Sequence, residues 1–401
     1  MQAITYAYKR KNGIDALIIF LLLFPFIATL TPFLQISDEF QSPLYQSLYY
    51  YKLVSFVIII FLYLKRYGIC SFDKWILVFI IVWSFSVYLN GVNFKTIVND
   101  LGSILFYCCL IGYYMRKNVI RFLQVYYVML GLMLLLNLLL LNYSSNGIWQ
   151  TQSDWNSSRV TFLGLDNQVT PLLFIASILL YLNLKLQSNT YFTIVGVIVI
   201  LGNVILLGVS TLYTSCIVLL LCLYFYPRIP KFFQKRMILF AIIGLFMGIV
   251  IFRLQYYFEY YITEILNKDI TLTGRISIWD EAFNLISQKP AFGNGLSSLG
   301  WIIKGNRHAH NTILQIILQV GLIGFFIFSG LIYRSLKSFS YRKMKNKPLY
   351  AFLIIIFFTY NVSCLTEVYP LTYYIIILLF LYYSNNIFLE MQTLILKKTY
   401  D

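Results

Sequence analysis

The chain of 401 residues contains only two histidines, His308 and His310. Imidazole titrates near neutral pH without a special environment, so it is well suited to general-base catalysis. Because residues two positions apart on a helix point to different faces, we expect only one of the pair to enter a site. The alternative is a pair of solvated loop residues. The sequence thus offers a candidate base without deciding which ring it is.

A polar stripe follows the histidines at four-residue spacing and comprises Asn311, Gln315 and Gln319. Polar groups within a membrane usually face the interior of a helix bundle or a watery cavity. The stripe therefore either lines a cavity or makes hydrogen bonds between helices, with Asn311 as a helix N-cap. In both cases the helix face below the histidines points into the protein.

Four arginines are predicted to lie on the extracytoplasmic side, where positive charge is least expected in a membrane protein. They are Arg159, Arg253, Arg275 and Arg307. A guanidinium fork matches phosphate oxygens and stays charged at any relevant pH, so the group indicates a phosphate-bearing ligand. The alternative for Arg253 is a snorkelling helix end. For Arg159 and Arg275 it is a salt bridge with a carboxylate, and the candidates are Asp154, Asp166 and Asp280.

The chain that must position these residues is unusually apolar, with 60% hydrophobic and 11% charged residues. Soluble domains carry about a quarter charged residues, so the composition excludes an ordinary soluble enzyme, a disordered chain and a nucleic-acid-binding domain. Apolar runs of about 20 residues recur, each long enough to cross a bilayer as a helix. We predict a single all-α polytopic membrane domain over 1–401 with about twelve transmembrane helices. The predicted spans are 14–34, 48–64, 75–89, 97–115, 119–141, 168–186, 191–209, 212–226, 237–252, 312–333, 349–365 and 371–389.

Charge predicts the orientation of these spans, because Lys and Arg concentrate in cytoplasmic loops. With both termini cytoplasmic, 22 of the 31 basic residues but only four of the 15 acidic residues fall inside. The net charge of +16 is then a consequence of topology, and we expect no nucleic-acid partner. The N-terminus is expected to be an uncleaved anchor. The six cysteines have no spacing typical of disulfides or of a metal site, and no metal is expected.

The long extracytoplasmic loop, predicted over 253–311, is the only loop long enough for structure of its own. Its apolar residues recur at helical spacing, which predicts an amphipathic helix at about 274–288. Thr273 is the expected N-cap, and Pro290, Gly293 and Gly295 are expected to end the helix. We expect this helix to lie on the membrane surface with Trp279 at the headgroups, an arrangement compatible with a lid over a site.

Several segments in and around this loop resemble the O-antigen polymerase and O-antigen ligase family (Wzy-type). They are Thr273-Gly274-Arg275 with Trp279, Pro290-Ala291-Phe292-Gly293-Asn294-Gly295, His310-Asn311, Gly321-Leu322-Ile323-Gly324, and the earlier Arg159, Gly164 and Asn167. The chain departs from the family at the turn between the seventh and eighth spans. That turn reads Ser210-Thr211, without the arginine that many members carry after the serine.

The resemblance implies a GT-C-like glycosyltransferase of the bacterial plasma membrane with its site on the extracytoplasmic face. Its substrates would be oligosaccharides linked to undecaprenyl diphosphate, and it would invert the anomeric carbon without a metal or other cofactor. His310 would be the base, and Arg275 and Arg159 would stabilise the leaving diphosphate. The expected substrate-binding residues are His308, Asn311, Arg307, Asn167 and Gln315.

The favoured function is a polymerase that transfers a growing glycan (O-antigen, capsule or exopolysaccharide) onto the next lipid-linked repeat. An O-antigen ligase, which uses another acceptor, shares the same motifs and stays open. A lipid-linked oligosaccharide flippase is the alternative from a different class, although transporters more often carry charge within the membrane. The implied partners are membrane lipid, a chain-length regulator and the flippase of the same pathway.

Overall fold

The fold is mainly helical, as the composition predicts. The computed structural model describes residues 2–28, 43–91, 95–144, 147–153, 156–187, 190–260, 264, 274–295, 308–339 and 348–400. The α-helices of these residues are α1 (Gln2–Ala28), α2 (Pro43–Tyr67), α3 (Ser71–Leu89), α4 (Lys95–Lys117), α5 (Val119–Tyr143), α6 (Thr170–Gln187), α7 (Thr190–Leu207), α8 (Ser210–Phe225), α9 (Lys235–Phe246), α10 (Arg275–Gln288), α11 (Thr312–Ser338), α12 (Pro348–Ser363), α13 (Leu371–Tyr382) and α14 (Ser384–Tyr400). A π-helical turn, Met247–Ile251, follows α9.

Several of these helices have the length and composition of membrane spans. Among the described residues, seven are long and apolar enough to cross a bilayer, and an eighth is added if Leu371–Tyr382 and Ser384–Thr393, bent by 51°, form one span. The chain is therefore a polytopic membrane protein.

The helices do not show the twelve spans that hydropathy predicts. Each predicted span falls on a helix, but α8 and α12 have 16 residues and α9 has 12. At about 1.5 Å per residue these helices are about 18–24 Å long, short of a hydrocarbon core of about 30 Å. Apolar runs overestimate such spans because loop residues at their ends are also apolar.

A small antiparallel sheet lies within the loop predicted over 142–167. Strands β1 (Trp149–Ser153), β2 (Asn156–Thr161) and β3 (Gly164–Leu165) are hydrogen-bonded in the order β1-β2-β3. The sheet departs from the all-α prediction. Its strands have two to six residues and are largely polar, so they lack the alternation of apolar residues that would reveal a half-buried strand.

The helices fall into two compact units. The first comprises residues 1–68, 102–213 and 375–401, and the second comprises 69–101 and 214–374. In the first unit, the buried amide of Asn137 on α5 donates to Oδ1 of Asn203 on α7 at 2.8 Å. Oδ1 of Asn137 also accepts from the N–H of Leu163 at 3.2 Å. A polar bond between spans thus ties α5 to α7 and to the turn that follows β2.

In the second unit, the 27-residue helix α11 packs along α3. Ser86 on α3 donates to the carbonyl of Gln319 at 2.6 Å, and the rings of Phe79 and Phe328 lie 5.6 Å apart. Closer to the C-terminal end of α11, a Cβ added at Gly330 would lie 2.5 Å from the ring of Trp75. The glycine therefore allows the two helices to approach closely. This packing holds α11 rigidly and so supports the residues at its N-terminus.

The course of α11 is interrupted at Gly321, whose φ of 66° and ψ of −173° are not helical. The N–H groups beyond the break find partners outside the helix. Leu322 donates to the carbonyl of Pro290 at 2.8 Å, and Ile323 donates to that of Ala291 at 3.2 Å. A break inside an apolar helix would leave these groups without partners in lipid, so the segment after α10 supplies what the helix lacks.

The same segment also uses the carbonyls before the break. Asn294 donates to the carbonyl of Leu318 at 2.6 Å, and Gly295 donates to that of Gln319 at 3.0 Å. Gly293 has a φ of +71°, and a Cβ there would lie 2.6 Å from the carbonyl oxygen of Leu318. The segment 290–295 ends α10, as predicted, and the structure shows that it also locks into the broken helix.

We expect Gly321→Ala to destabilise the protein by about 2–4 kcal/mol. The added Cβ would lie 2.2 Å from the carbonyl oxygen of Ala291, and alanine is disfavoured at a φ of +66°. Thermal unfolding in detergent measures the effect. Gly244→Ala on α9, where a Cβ meets nothing within 4 Å, is the matched control. Equal melting temperatures for the two variants would contradict the account.

Candidate active site

The two histidines lie in a short loop, residues 308–311, immediately before α11. The loop is held by the polar stripe of the helix that follows it. Asn311 caps α11 by accepting from the N–H of Leu314 at 3.0 Å, and its Nδ2 donates to the carbonyl of Leu365 at 2.9 Å. Oε1 of Gln315 accepts from the N–H of Ala309 at 2.9 Å.

These bonds confirm that Asn311 is an N-cap. They also show that the side chains of Asn311 and Gln315, both buried, fix the backbone around the histidines. Direct binding of substrate by either residue stays a prediction. The clearer role is to hold the imidazoles in place.

His310 adopts a left-handed backbone conformation with a φ of 46°. This region costs a residue other than glycine roughly 1–2 kcal/mol, and such conformations cluster at functional sites. The ring of His310 lies edge-on to that of His308, with centroids 4.3 Å apart at 65°. Its Nδ1 is buried, and 23% of its side chain is exposed. The exposed part is therefore the rest of the ring, which carries Nε2.

Glu367, in the loop after α12, lies between Arg275 and His310. Its Oε1 accepts from Nη2 of Arg275 at 2.7 Å, and its Oε2 lies 3.9 Å from Nδ1 of His310. Only 5% of the residue is exposed. Thr312 at the start of α11 donates to the backbone carbonyl of Glu367 at 2.8 Å, which anchors this loop beside the histidine loop.

Sequence reasoning missed Glu367. The partners considered for Arg275 were all aspartates, and two of them lie elsewhere in the described structure, because Asp166 pairs with Arg159 and Asp280 with Arg253. The signal was present, since Glu367 is the only acidic residue between Glu281 and Glu390. A lone acid at the end of an apolar run usually has a basic partner.

Arg275 is the first residue of α10, whose N-cap position is Gly274 with a φ of 78°. The predicted cap, Thr273, lies outside the described residues. The helix, Arg275–Gln288, lies within the predicted bounds of about 274–288. Arg275 thus directly follows a residue in the left-handed conformation. Its side chain pairs with Glu367 and is 22% exposed.

The apolar face of α10 packs on protein, and this corrects its expected position on the membrane surface. Trp279 is 0% exposed. It belongs to a buried cluster with Val250, Ile276, Ile278, Ala282, Ala309, Leu314 and Leu318. Amphipathic spacing predicts an apolar partner for this face, but it does not tell whether that partner is lipid or protein. Because α10 packs against the histidine loop and α11, Arg275 is held on a rigid support.

The microenvironment of His308 keeps it neutral. Burial is the main cause that lowers the pKa of His308 to about 4. The positive charges that His310 and Arg275 can carry also lower this pKa, while the Glu367 carboxylate raises it. At neutral pH, therefore, the ring next to His310 carries no charge.

This pKa predicts a pH-dependent contribution of His308 to stability. In the unfolded chain the pKa of histidine is about 6.5, so the unfolded state binds a proton more readily than the folded state. The contribution is complete above about pH 6.5 and is lost as the pH falls from 6.5 through 4. We expect wild-type protein to lose about 2–3 kcal/mol more than His308→Gln between pH 7.5 and 4.5. Denaturant unfolding at both pH values measures this, and equal losses would contradict it.

Arg159 and Asn167 belong to the first unit. Nε of Arg159 on β2 donates to Oδ2 of Asp166 at 2.8 Å, which confirms the salt bridge considered as its alternative role. Its Nη2 donates to the carbonyl of Leu206 at 3.3 Å and to that of Leu207. Arg159 thus caps the C-terminus of α7, at the turn that lacks the arginine of the family pattern. Asn167 is half-buried in the 3₁₀ turn Asp166–Val169.

The remaining predicted residues are Arg253, Arg307 and Asp154. Arg253 pairs with Asp280 on the exposed face of α10. Arg307 and Asp154 lie outside the described residues. Within the part of the chain that the structure describes, no three His, Cys, Asp or Glu side chains are grouped closely enough to hold a metal ion. The cluster that sequence reasoning and structure share is therefore His308, His310 and Arg275, joined by Glu367.

Comparisons with known proteins bear on this cluster. Residues 195–329 match the model of a family described as O-antigen ligase. Proteins provisionally named polysaccharide ligase are similar over part of the chain. One from Rickettsia conorii is 37% identical over 18% of this chain and 21% of its own length. One from Rickettsia bellii is 37% identical over 16% and 19% of the two chains, and one from Rickettsia felis is 34% identical over 18% and 21%.

These matches span about a fifth of the curated relatives. The family match covers α10 and the histidine loop, and so includes Arg275 and His310. It agrees with the motif resemblance seen in the sequence. Residues 195–329 of this chain are thus similar to the family described as O-antigen ligase.

Proposed function

We propose that this protein transfers a glycan from an undecaprenyl-diphosphate-linked donor to the hydroxyl of an acceptor. The observation that carries the proposal is the meeting of a candidate base and a candidate phosphate-binding cation at one buried carboxylate. Arg275 and His310 lie 2.7 Å and 3.9 Å from the two oxygens of Glu367. They come from separate elements, so their proximity is a property of the fold.

The chemistry requires a base and a stabiliser of negative charge. As the acceptor oxygen bonds to the anomeric carbon, the bond from that carbon to the diphosphate oxygen breaks. Nε2 of His310 takes the hydroxyl proton, a step typically worth about 10²–10⁴ in rate. Arg275 stabilises the charge that develops on the departing diphosphate. Attack from the side opposite to the leaving group inverts the configuration of the anomeric carbon. Because the guanidinium charge stabilises the departing diphosphate, the proposed reaction needs no metal.

The acceptor distinguishes two members of the proposed class. The next lipid-linked repeat as acceptor makes the protein a polymerase, which the sequence favours by overall resemblance. A different acceptor makes it a ligase, which the family description and the names of the relatives favour. Both reactions use the same donor and the same residues. We therefore propose the transfer reaction that a polymerase and a ligase share. The glycan products of that reaction identify the acceptor.

The proposal includes a location. The charge distribution along the chain supports a site on the extracytoplasmic face of the bacterial plasma membrane, with both termini cytoplasmic. The GT-C-like arrangement of the spans is proposed from the family resemblance. A chain-length regulator and a flippase of the same pathway are the proposed partners. The substrate-binding roles of Arg159, Asn167 and Arg307 stay predictions from the sequence resemblance.

Reconstitution in liposomes tests the proposed function. The purified protein is incubated with a synthetic undecaprenyl-diphosphate oligosaccharide, and released undecaprenyl diphosphate and the glycan products are measured. A ladder of polymers from this substrate alone identifies a polymerase, whereas product that appears only with a second acceptor identifies a ligase.

Other outcomes contradict the proposal. Movement of the lipid-linked glycan across the bilayer without any release of undecaprenyl diphosphate indicates a flippase. Neither movement nor release, with a donor and an acceptor from the same organism, rejects the transfer reaction. Variants that lack His310 or Arg275 are the controls for release that does not depend on the site.

A further inference from the structure

The most informative group in the second unit is a carboxylate that has an arginine and a histidine beside it. Glu367 is paired with Arg275, yet its second oxygen lies 3.9 Å from Nδ1 of His310, about 1 Å too far for a hydrogen bond. Nδ1 of His310 is buried and has no hydrogen-bond partner among the described residues. A small movement would thus bring Nδ1 of His310 within hydrogen-bond distance of Glu367.

The pairing of Arg275 has a consequence for binding of a diphosphate. A guanidinium that reaches for phosphate oxygens must share or give up its bond to Glu367. The carboxylate is 5% exposed and would be left with a weakened counter-ion in a poorly solvated place, which is costly. Two other titratable groups face it or its partners, His310 and His308, and burial holds the pKa of His308 at about 4. His310 is therefore the group best placed to replace Arg275 as the partner of Glu367.

We propose that Glu367 is an exchange partner, which pairs with Arg275 in the free enzyme and with Nδ1 of His310 once a diphosphate occupies Arg275. This inference rests on the proposed function and assigns Glu367 as a positioning residue. A carboxylate on Nδ1 favours the protonated imidazole, so Nε2 becomes a stronger base. Binding of the donor would then activate the base.

Histidine NMR tests the exchange without any turnover, because the chain has only two histidines. The protein is labelled with ¹⁵N-histidine in nanodiscs, and the two rings are assigned with His308→Gln. The pKa of His310 is measured with and without undecaprenyl diphosphate. In wild-type protein we expect the lipid to raise the proton affinity of His310 about tenfold, which is one pKa unit.

Glu367→Gln separates the exchange from the direct effect of the added phosphate charge. This variant keeps the shape but not the charge, so we expect undecaprenyl diphosphate to raise the pKa of His310 much less. Glu281→Gln on the other face of α10 is the matched control and should behave like wild type. An equal rise in wild type and Glu367→Gln, or no rise in wild type that binds the lipid, would overturn the proposal.

Kinetics give a second criterion. In Glu367→Gln, Arg275 is held less tightly, so KM for the lipid-linked donor should be unchanged or lower, while kcat falls about 10²-fold and its acid limb moves to lower pH. A purely structural role would instead weaken binding and turnover together with an unchanged pH profile. If wild-type protein binds undecaprenyl diphosphate but transfers no glycan, the proposed function fails, while the NMR result still decides the exchange.

Discussion

Replacing His310 by asparagine is expected to reduce the rate of glycan transfer by about 10²–10⁴ while leaving the protein at least as stable as wild type. The rate falls because asparagine cannot take a proton from the acceptor hydroxyl. Stability is kept because the φ of 46° at this position strains histidine, whereas asparagine tolerates the left-handed region. Release of undecaprenyl diphosphate and thermal unfolding in detergent measure the two quantities.

A loss of activity without a loss of stability separates catalysis from support of the fold. Arg253 provides the matched control, because it is the other described residue besides glycine with a positive φ, at 54°, and its partner Asp280 is exposed. We expect Arg253→Asn to relieve the same kind of strain and to keep a rate near that of wild type. If His310→Asn transfers glycan at the wild-type rate, His310 is not the base.

Local patterns in the sequence predicted local structure well. The spacing from Arg275 to Gln288 predicted α10, and Asn311 was considered as an N-cap for α11, because both features depend on neighbouring residues alone. The salt bridge of Arg159 with Asp166 was considered as an alternative for the same reason. His308, His310 and Arg275 were selected because they are rare or unexpectedly placed residue types, and the structure does bring these three together.

Features that depend on tertiary packing could not be predicted in this way. Nothing in the spacing of α10 tells whether Trp279 faces lipid or protein, since both are apolar. Glu367 lies 92 residues beyond Arg275 in the sequence. The two meet because the loop after α12 lies beside the start of α11, which depends on tertiary packing. The break of α11 at Gly321 was invisible for a similar reason, because the segment that completes it comes from residues 290–295.

Arg275→Ala is expected to lower both the rate of transfer and the stability of the protein. Loss of one preorganised donor to a developing negative charge typically costs about 10²–10³ in kcat. The change also leaves the Glu367 carboxylate without its counter-ion in a buried place, which costs up to about 3–5 kcal/mol. Activity and unfolding free energy measured on the same preparation give the two effects.

The double variant Arg275→Ala with Glu367→Gln distinguishes the two effects of the single change. Because the neutral amide needs no counter-ion, we expect most of the lost stability to return, while transfer stays as slow as in Arg275→Ala. Arg253→Ala, which removes an exposed ion pair on α10, should cost no more than about 1 kcal/mol and keep activity. Recovery of transfer in the double variant would show that Arg275 acts only by neutralising Glu367. Persistent slow transfer in a stable protein instead requires the guanidinium itself at the leaving diphosphate.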